Sequence, residues 1–261
     1  MSEERGPQRL DAAMVERGLA RSRGKAHAHV KNGRVTVNSS VVTKPSTLVE
    51  CDDDIAVTED PLDANYASRA GTKLACVLDE LSDDKATTVR VRGAWCVDLG
   101  ASTGGFTDVL LRRGAEHVVA LDVGHAQLLD RLREDPHVTV MEGVNVRDVT
   151  EADFAQPADV IVGDLSFISL TYVIPVVVKL LARDGLALLL IKPQFEVGKD
   201  RLGSGGVVRD PALHQWAIDK VTACAVKYGL NPRRVTPSAL PGSTGNQEFF
   251  ILLDRSQQTP D

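Results

Sequence analysis

The stretch "VDLGASTGGF", Val97 to Phe106, decides how most of this 261-residue chain folds. An apolar strand, Ala94 to Leu99, runs into a turn whose glycines are spaced Gly-x-x-x-Gly-Gly, and a helical pattern follows. Glycines at such a turn let the backbone approach a ligand closely. A second apolar segment, Val118 to Leu121, ends at Asp122, 22 residues beyond Gly100. A glycine turn after one strand and a carboxylate at the tip of the next are two arms of a nucleoside site, the carboxylate accepting both ribose hydroxyls. A dinucleotide fold would show Gly-x-Gly-x-x-Gly, because a pyrophosphate must sit against the first helix amides. The different spacing here, with Asp98 ahead of the turn, favours S-adenosylmethionine (SAM), which has no phosphate but carries an ammonium, a sulfonium and a carboxylate. The residues expected to bind it are Asp98, Gly100, Ala101, Ser102, Thr103, Gly104, Gly105, Phe106 and Asp122. Asn145, in "EGVNVRD", is placed either to approach an adenine or to form a turn.

Outward from this loop, apolar segments at Val138 to Met141, Val160 to Val162 and Leu186 to Ile191 alternate with amphipathic ones, and a helix is expected around Lys73 to Leu81. Strand, helix, strand at this spacing predicts right-handed crossovers and a doubly wound, Rossmann-like α/β domain, with ligands at the C-terminal strand ends. Four polar residues then stand out. Lys192 follows a six-residue apolar run, a costly address for a charge without a role. Asp164 ends the fourth strand in "VIVGDLSFISL", Lys73 opens the first helix in "SRAGTKL", and Glu248 is read as lying within the last strand, "NQEFFILL". A hydroxyl is a poor nucleophile, so methyl transfer to it benefits from a base, and a lysine desolvated beside another ammonium can serve. The expected roles are Lys192 as base, Asp164 as its orienting partner, and Lys73 and Glu248 as positioners of the hydroxyl.

Ahead of this domain the chain changes character. Residues 5 to 49 carry nine Lys or Arg against two Asp or Glu, whereas the whole chain is at −6. A basic module on an acidic body is expected to face a polyanion through phosphate contacts. Leu10, Met14, Val15 and Leu19 have helical spacing up to Gly18, Ser22 can cap a second helix running to Asn32-Gly33, and Val35, Val37 and Val41 alternate as short strands that close near Ile55 and Val57. The acidic, aperiodic "EDPLDAN", residues 59 to 65, reads as a linker between domains spanning 5–58 and 66–255. No apolar run is long enough to cross a membrane and the first residues have no apolar core, so a cytoplasmic protein is expected and a membrane-active toxin is disfavoured. Cys51, Cys76, Cys96 and Cys224 are too far apart for a metal pair and read as small buried hydrophobes; no metal is expected.

The segment "RLDAAMVERGLARSRGKAHAHVKNGRVTVN", Arg9 to Asn38, resembles the S4 RNA-binding domain, with serine at 39 where many members have glycine. The segments "YASRAGTKL", "DLGASTGGFTDVLLRRGAEHVVALDVGHAQL", "GDLSFISL", "LIKPQFEVGK", "GGVVRDP" and "LPGSTGNQEFF" resemble the TlyA family of ribosomal RNA 2′-O-methyltransferases, often named haemolysins, over about residues 9 to 253. That resemblance implies an S4 domain joined to a methyltransferase core of the FtsJ/RrmJ type. It also implies a Lys-Asp-Lys-Glu tetrad falling on Lys73, Asp164, Lys192 and Glu248, and cytidine ribose targets in 16S and 23S rRNA. The implied partners are ribosomal RNA and ribosomal subunits, and a monomer is expected. Arg9, Arg21, Arg23, Lys25, Lys44 and Arg69 are the expected RNA contacts, while His27 and His29 read as solvated. The glycine-rich loop from 193 to 210 is expected to be mobile, with Lys199, Arg201 and Arg209 holding RNA as it closes. A target base inside a helix would have to flip out. Phe195 could stack on it, whereas Phe167 reads rather as core packing. The rival reading is an S4 protein that binds RNA without catalysis.

Overall fold

The computed structural model describes residues 6–20, 22–58 and 65–255. Arg21 and residues 59–64 of the expected linker lie outside the described residues, as does the side chain of Lys199. The chain divides into two compact units, Met1–Asp63 and Ala64–Asp261.

In the first unit, β1 (Gln8–Arg9) leads into α1 (Leu10–Glu16) and α2 (Arg23–Lys31), followed by β2 (Val35–Val37), β3 (Ser40–Val42), β4 (Leu48–Val49) and β5 (Ile55–Val57). α1 stops where the sequence suggests, at Arg17 before Gly18, whose left-handed φ of +70° glycine adopts without strain. The Ser22 hydroxyl accepts from the Lys25 amide at 3.3 Å and caps α2. β2 pairs with β3 and β5, and one face of this small sheet joins Leu10, Met14, Ala26 and Val30 in a core of its own. Asn38 and Ser39, at φ of +49° and +65°, make the β2–β3 turn without glycine. Asn38 offsets some of that strain through its amide, which bonds Asp53 Oδ1 at 2.6 Å.

The second unit holds α3 (Arg69–Ser82), β6 (Trp95–Leu99), α4 (Gly105–Arg112), β7 (His117–Asp122), α5 (Asp130–Arg133), β8 (Val138–Glu142), β9 (Ala158–Gly163), α6 (Ile174–Leu180), β10 (Leu181–Ile191), α7 (Pro193–Glu196), α8 (Pro211–Lys227), β11 (Leu230–Pro237) and β12 (Phe249–Arg255). The seven strands lie in the order β11-β12-β10-β9-β6-β7-β8. Alternate residues of the central strands feed opposite cores: Val97, Leu99, Ile161, Leu189 and Ile191 pack with α6 and α8, while Cys96, Val160, Val162, Leu188 and Leu190 pack with α3 and α4. Burial on both faces explains why these strands read as unbroken apolar runs. Each such leucine or isoleucine contributes roughly 1.5–3 kcal/mol relative to exposure.

The sheet departs from an all-parallel Rossmann order in one respect. β12 runs antiparallel to both β10 and β11 and is inserted between them, with Phe249 opposite Ile191. The expectation that Glu248 lies within a strand is therefore corrected: it immediately precedes β12. β11 went unread because Pro232 and Pro237 interrupt it, and prolines are tolerated there because the strand is at the sheet edge. The reading of the cysteines is corrected too. Cys96 is buried, Cys76 and Cys224 are partly exposed, and Cys51 is exposed.

Candidate active site

A cavity of about 990 Å³ opens at the C-terminal rim of the parallel strands. Its walls include Lys73, Asp164, Lys192 and Glu248 together with Gly100, Ala101, Ser102, Thr103, Gly105 and Phe106. Four residues distant in sequence thus meet the glycine loop in one space. Asp164 directly follows β9 and Lys192 directly follows β10, as parallel strand ends must. Glu248 reaches the same rim only because β12 is reversed, so that its start lies beside the end of β10. Lys73 arrives from the second turn of α3, which packs closely on the start of α4. A Cβ on Gly71 would come within 2.8 Å of the Gly105 carbonyl oxygen, so glycine is required at that crossing.

The four charges form two ion pairs. Lys73 Nζ lies 2.6 Å from Glu248 Oε2, and both side chains are almost fully buried. Lys192 Nζ lies 2.7 Å from Asp164 Oδ1. That contact is coulombic, without hydrogen-bond geometry: the ammonium donates to Ser166 Oγ at 2.8 Å, and Asp164 Oδ1 is buried with no hydrogen-bond donor. Gln194 Oε1, on the same cavity wall, is likewise buried without a donor, while its Nε2 reaches toward Glu248 Oε1 at 3.4 Å.

Beside this space is a second compartment of about 890 Å³ lined by Asp122, Val123, Gln127, Asn145 and Arg147 and sharing Gly100, Ser102, Asp164 and Phe167 with the first. Gly100 stands between them at a φ of +86°, and a Cβ there would meet the Asp164 carbonyl oxygen at 3.0 Å. The Asp122 carboxylate accepts from the Ser102 amide at 2.8 Å and the Gly124 amide at 2.7 Å, which holds the glycine turn against the tip of β7. Glu142 organises the next turn. The amides of Ala126, Gln127 and Leu128 all donate to it, and with Arg133 they hold its carboxyl down at about 2.

Two of the expected ligand residues do not line either compartment. Asp98 is wholly buried behind the loop, where its Oδ2 accepts from the Thr107 amide and hydroxyl and fixes the start of α4. Burial pushes its carboxyl up to about 7, and Oδ1 has no partner. Gly104, at a φ of +95°, faces Leu128 and Leu132, so its bareness serves packing. Asn145 lines the second compartment, and its Oδ1 accepts from the Arg147 amide at 3.0 Å, as in a turn-forming asparagine.

Phe167 corrects an expectation outright. It is 91% exposed, holds a left-handed φ of +64°, and stands 5.2 Å from the Phe195 ring at the cavity mouth. Neither the exposure nor the strain has a signal in "GDLSFISL". Along the loop after α7, Gly198, Leu202, Gly205 and Gly206 form part of the cavity wall, the Arg201 guanidinium lies 4.9 Å over the Trp216 ring, and Arg209 is exposed. Arg69 is also on the cavity wall.

In the first unit, Arg9 grips Asp11 through two hydrogen bonds of 3.0 and 2.9 Å, and Arg23 approaches the same carboxylate at 3.5 Å. The Arg9 hydrogen bond, against the cost of burial, keeps the Asp11 carboxyl below its usual range. One buried acid thus steadies two guanidiniums that remain about half exposed. Lys44 is exposed in the turn before β4. Among the described residues, no group of three or more His, Cys, Asp or Glu could hold a metal ion, and no helix is long and apolar enough to cross a membrane.

Comparison with known proteins agrees with this architecture. Residues 66–255 match the FtsJ-like methyltransferase model and residues 8–55 match the S4 domain model. The chain is 44% identical to the 16S/23S rRNA (cytidine-2′-O)-methyltransferase TlyA of Mycobacterium tuberculosis, over 94% of this chain and 89% of that protein. It is 37% identical to Hemolysin A of Brachyspira hyodysenteriae, over 93% and 98% respectively. Among solved structures, a hemolysin-titled protein of Streptococcus thermophilus superposes with a TM-score of 0.74 at 34% identity, over 96% of this chain and 89% of that one. With an S4 domain ahead of a methyltransferase fold and this degree of identity along nearly its whole length, the chain belongs to the TlyA family of FtsJ-like methyltransferases.

Proposed function

We propose that the chain transfers a methyl group from SAM to the ribose 2′-hydroxyl of cytidines in ribosomal RNA. The observation that carries this reading is the rim cavity walled by Lys73, Asp164, Lys192, Glu248 and the Gly100–Gly105 turn. The name of the mycobacterial relative supports both the nucleotide and the atom methylated.

The residues present fit an adenosyl ligand. Two adjoining compartments meet at Gly100, whose φ of +86° and 3.0 Å Cβ approach to the Asp164 carbonyl oxygen leave no room for a side chain without strain, and both are lined by Ser102 and Asp164. Asp122 and Asn145 would hold the nucleoside end, and the 100–106 turn the amino-acid end. When bound, SAM supplies an electrophilic methyl on a positively charged sulfur. Lys192 is the base: its Nζ, once neutral, takes the proton of the 2′-hydroxyl and later releases it to solvent. Ser166 and Asp164 hold that amine at the strand end. Lys73 donates a hydrogen bond to the hydroxyl oxygen, and Glu248, its buried partner, fixes the direction of that ammonium. Such orientation of a hydroxyl against a methyl donor is worth several kcal/mol of barrier.

Phe167 and Phe195 form an aromatic shelf at the mouth, on which an extruded base can stack. Arg9, Arg23, Lys25 and Lys44 of the S4 unit hold RNA through phosphates, and Arg69, Arg201 and Arg209 do so around the cavity. The test is transfer of labelled methyl from SAM to ribosomal subunits, with Lys192→Ala as the control and 2′-O-methyl positions mapped by primer extension. Methylation of ribosomal RNA by the wild type alone is expected. No transfer to either subunit would favour an S4 protein that binds without catalysis.

A further inference from the structure

Glu196 lies outside the set of four rim charges, yet it is 3% exposed and bonded to three other residues. Its Oε2 accepts from the Ser169 hydroxyl at 2.5 Å, its Oε1 from the Leu170 amide at 2.7 Å, and Lys220 of α8 lies 3.0 Å from Oε2. The Lys220 ammonium also donates to the Glu196 backbone carbonyl at 2.9 Å. A buried carboxylate is tolerated only when every such partner is in place. These partners belong to different segments. Ser169 and Leu170 end the loop that begins at Asp164, whereas Glu196 ends the single turn that begins directly after Lys192.

The same loop carries Phe167, whose left-handed backbone is costly for a bulky side chain. Strain of this kind costs about 1–3 kcal/mol and persists only where the surroundings over-determine it. Two and three residues beyond Phe167, the Glu196 carboxylate supplies that restraint. Upstream, the loop is held by Ser166 to Lys192. The loop is thus pinned at both ends to the α7 turn, once through the proposed base and once through Glu196.

Resting on the methyl-transfer reading above, we infer that Glu196 is a positioning residue that clamps the 164–170 loop to the segment following β10. It thereby sets the Lys192–Asp164 distance and keeps Phe167 projecting at the cavity mouth. Glu196, Ser169 and Lys220 line the second compartment, but the Glu196 carboxylate bonds neither Asp122, Asn145 nor the glycine turn, so its replacement acts on the methyl-transfer step far more than on SAM binding. Misplacement of a reacting group by about 1 Å costs on the order of 100-fold in rate.

The experiment compares full-length wild type, Glu196→Gln and Lys220→Met. It measures SAM affinity by calorimetry, single-turnover methyl transfer to ribosomal subunits normalised to the fraction of molecules that bind SAM, and crystal structures of the variants. Glu196→Gln keeps the shape and removes the charge. It should lower the normalised rate about 100-fold with a much smaller change in SAM affinity, and its structure should show Phe167 at a negative φ or Lys192 and Asp164 moved apart. Lys220→Met, which leaves the Ser169 and Leu170 bonds, should have a smaller effect. A normalised rate unchanged in Glu196→Gln, or a variant structure that retains both the Phe167 backbone and the Lys192–Asp164 ion pair, overturns the inference. Failure of the methyl-transfer reading looks different, since wild type would then modify no ribosomal RNA at all.

Discussion

The two units pair cations with carboxylates under opposite conditions. In the S4 unit, Arg9 and Arg23 share the buried Asp11 carboxylate, with about half of each guanidinium in solvent. In the catalytic unit, Lys73 and Glu248 are 9% and 2% exposed, and Lys192 and Asp164 are 11% and 15% exposed. A pair whose cation is mostly in solvent is worth about 0–1 kcal/mol, so Arg23, 3.5 Å from Asp11, can turn to a phosphate at little cost while Arg9 keeps the acid partnered. Buried pairs are a different matter, because removing one partner strands the other charge in a poorly hydrated place. The S4 cations are half in solvent, whereas the rim charges are paired and largely dry.

The sharpest way to break this contrast is Lys192→Ala. If Lys192 removes the hydroxyl proton, methyl transfer should fall by about 10²–10⁴-fold, while SAM affinity, measured calorimetrically, stays near that of the wild type. A loss of binding equal to the loss of rate would make it a structural ion pair. Next in size is Lys73→Met, which leaves Glu248 buried without its cation. Unfolding by denaturant should show a loss of roughly 3–5 kcal/mol, much of it restored in the double variant Lys73→Met/Glu248→Leu. A loss below about 1 kcal/mol would mean that the pair behaves like those of the S4 surface.

Asp98 extends the comparison to an acid that has no cation. Its carboxyl sits at about 7 against an ordinary 3.8 because it is buried. Below pH 3.8 folded and unfolded chains both hold the proton; between there and about 7 only the folded chain does, so the stability it contributes is lost as pH rises through that window. Asp98→Asn should flatten that decline, as followed by thermal melts across the same range. Equal pH slopes in both proteins would show that the buried carboxyl does not titrate there. The smallest effect belongs to the S4 surface. Arg23→Ala or Lys44→Ala should weaken RNA binding a few-fold and lower the slope of log affinity against log salt by about one, without touching SAM binding. An unchanged salt slope would remove that residue from the interface.

Much of the fold was legible in the sequence. The central strands announced themselves because a strand buried on both faces must be apolar throughout, and Ser22 and Gly18 marked helix ends through hydrogen bonding and backbone freedom that are local. What was illegible lay in non-local contacts. Asp98 looked like a ligand residue from its place beside the glycines, and only the packing of α4 shows it facing Thr107. Phe167 looked like core because phenylalanine usually is, and a positive φ is set by what surrounds a loop rather than by its own residues. Glu196 was overlooked because nothing in "KPQFEVGK" tells that its partners are Ser169, Leu170 and Lys220.

By itself the sequence determined the doubly wound catalytic fold, the glycine turn and its acidic companion, and the basic character of the front module. All of these follow from short-range periodicity, glycine geometry and charge. Tertiary structure alone decided that β12 runs backwards between β10 and β11. A strand's direction is written in its partners and not in its own side chains, yet that reversal is what carries Glu248 to the rim where Lys73, Asp164 and Lys192 wait.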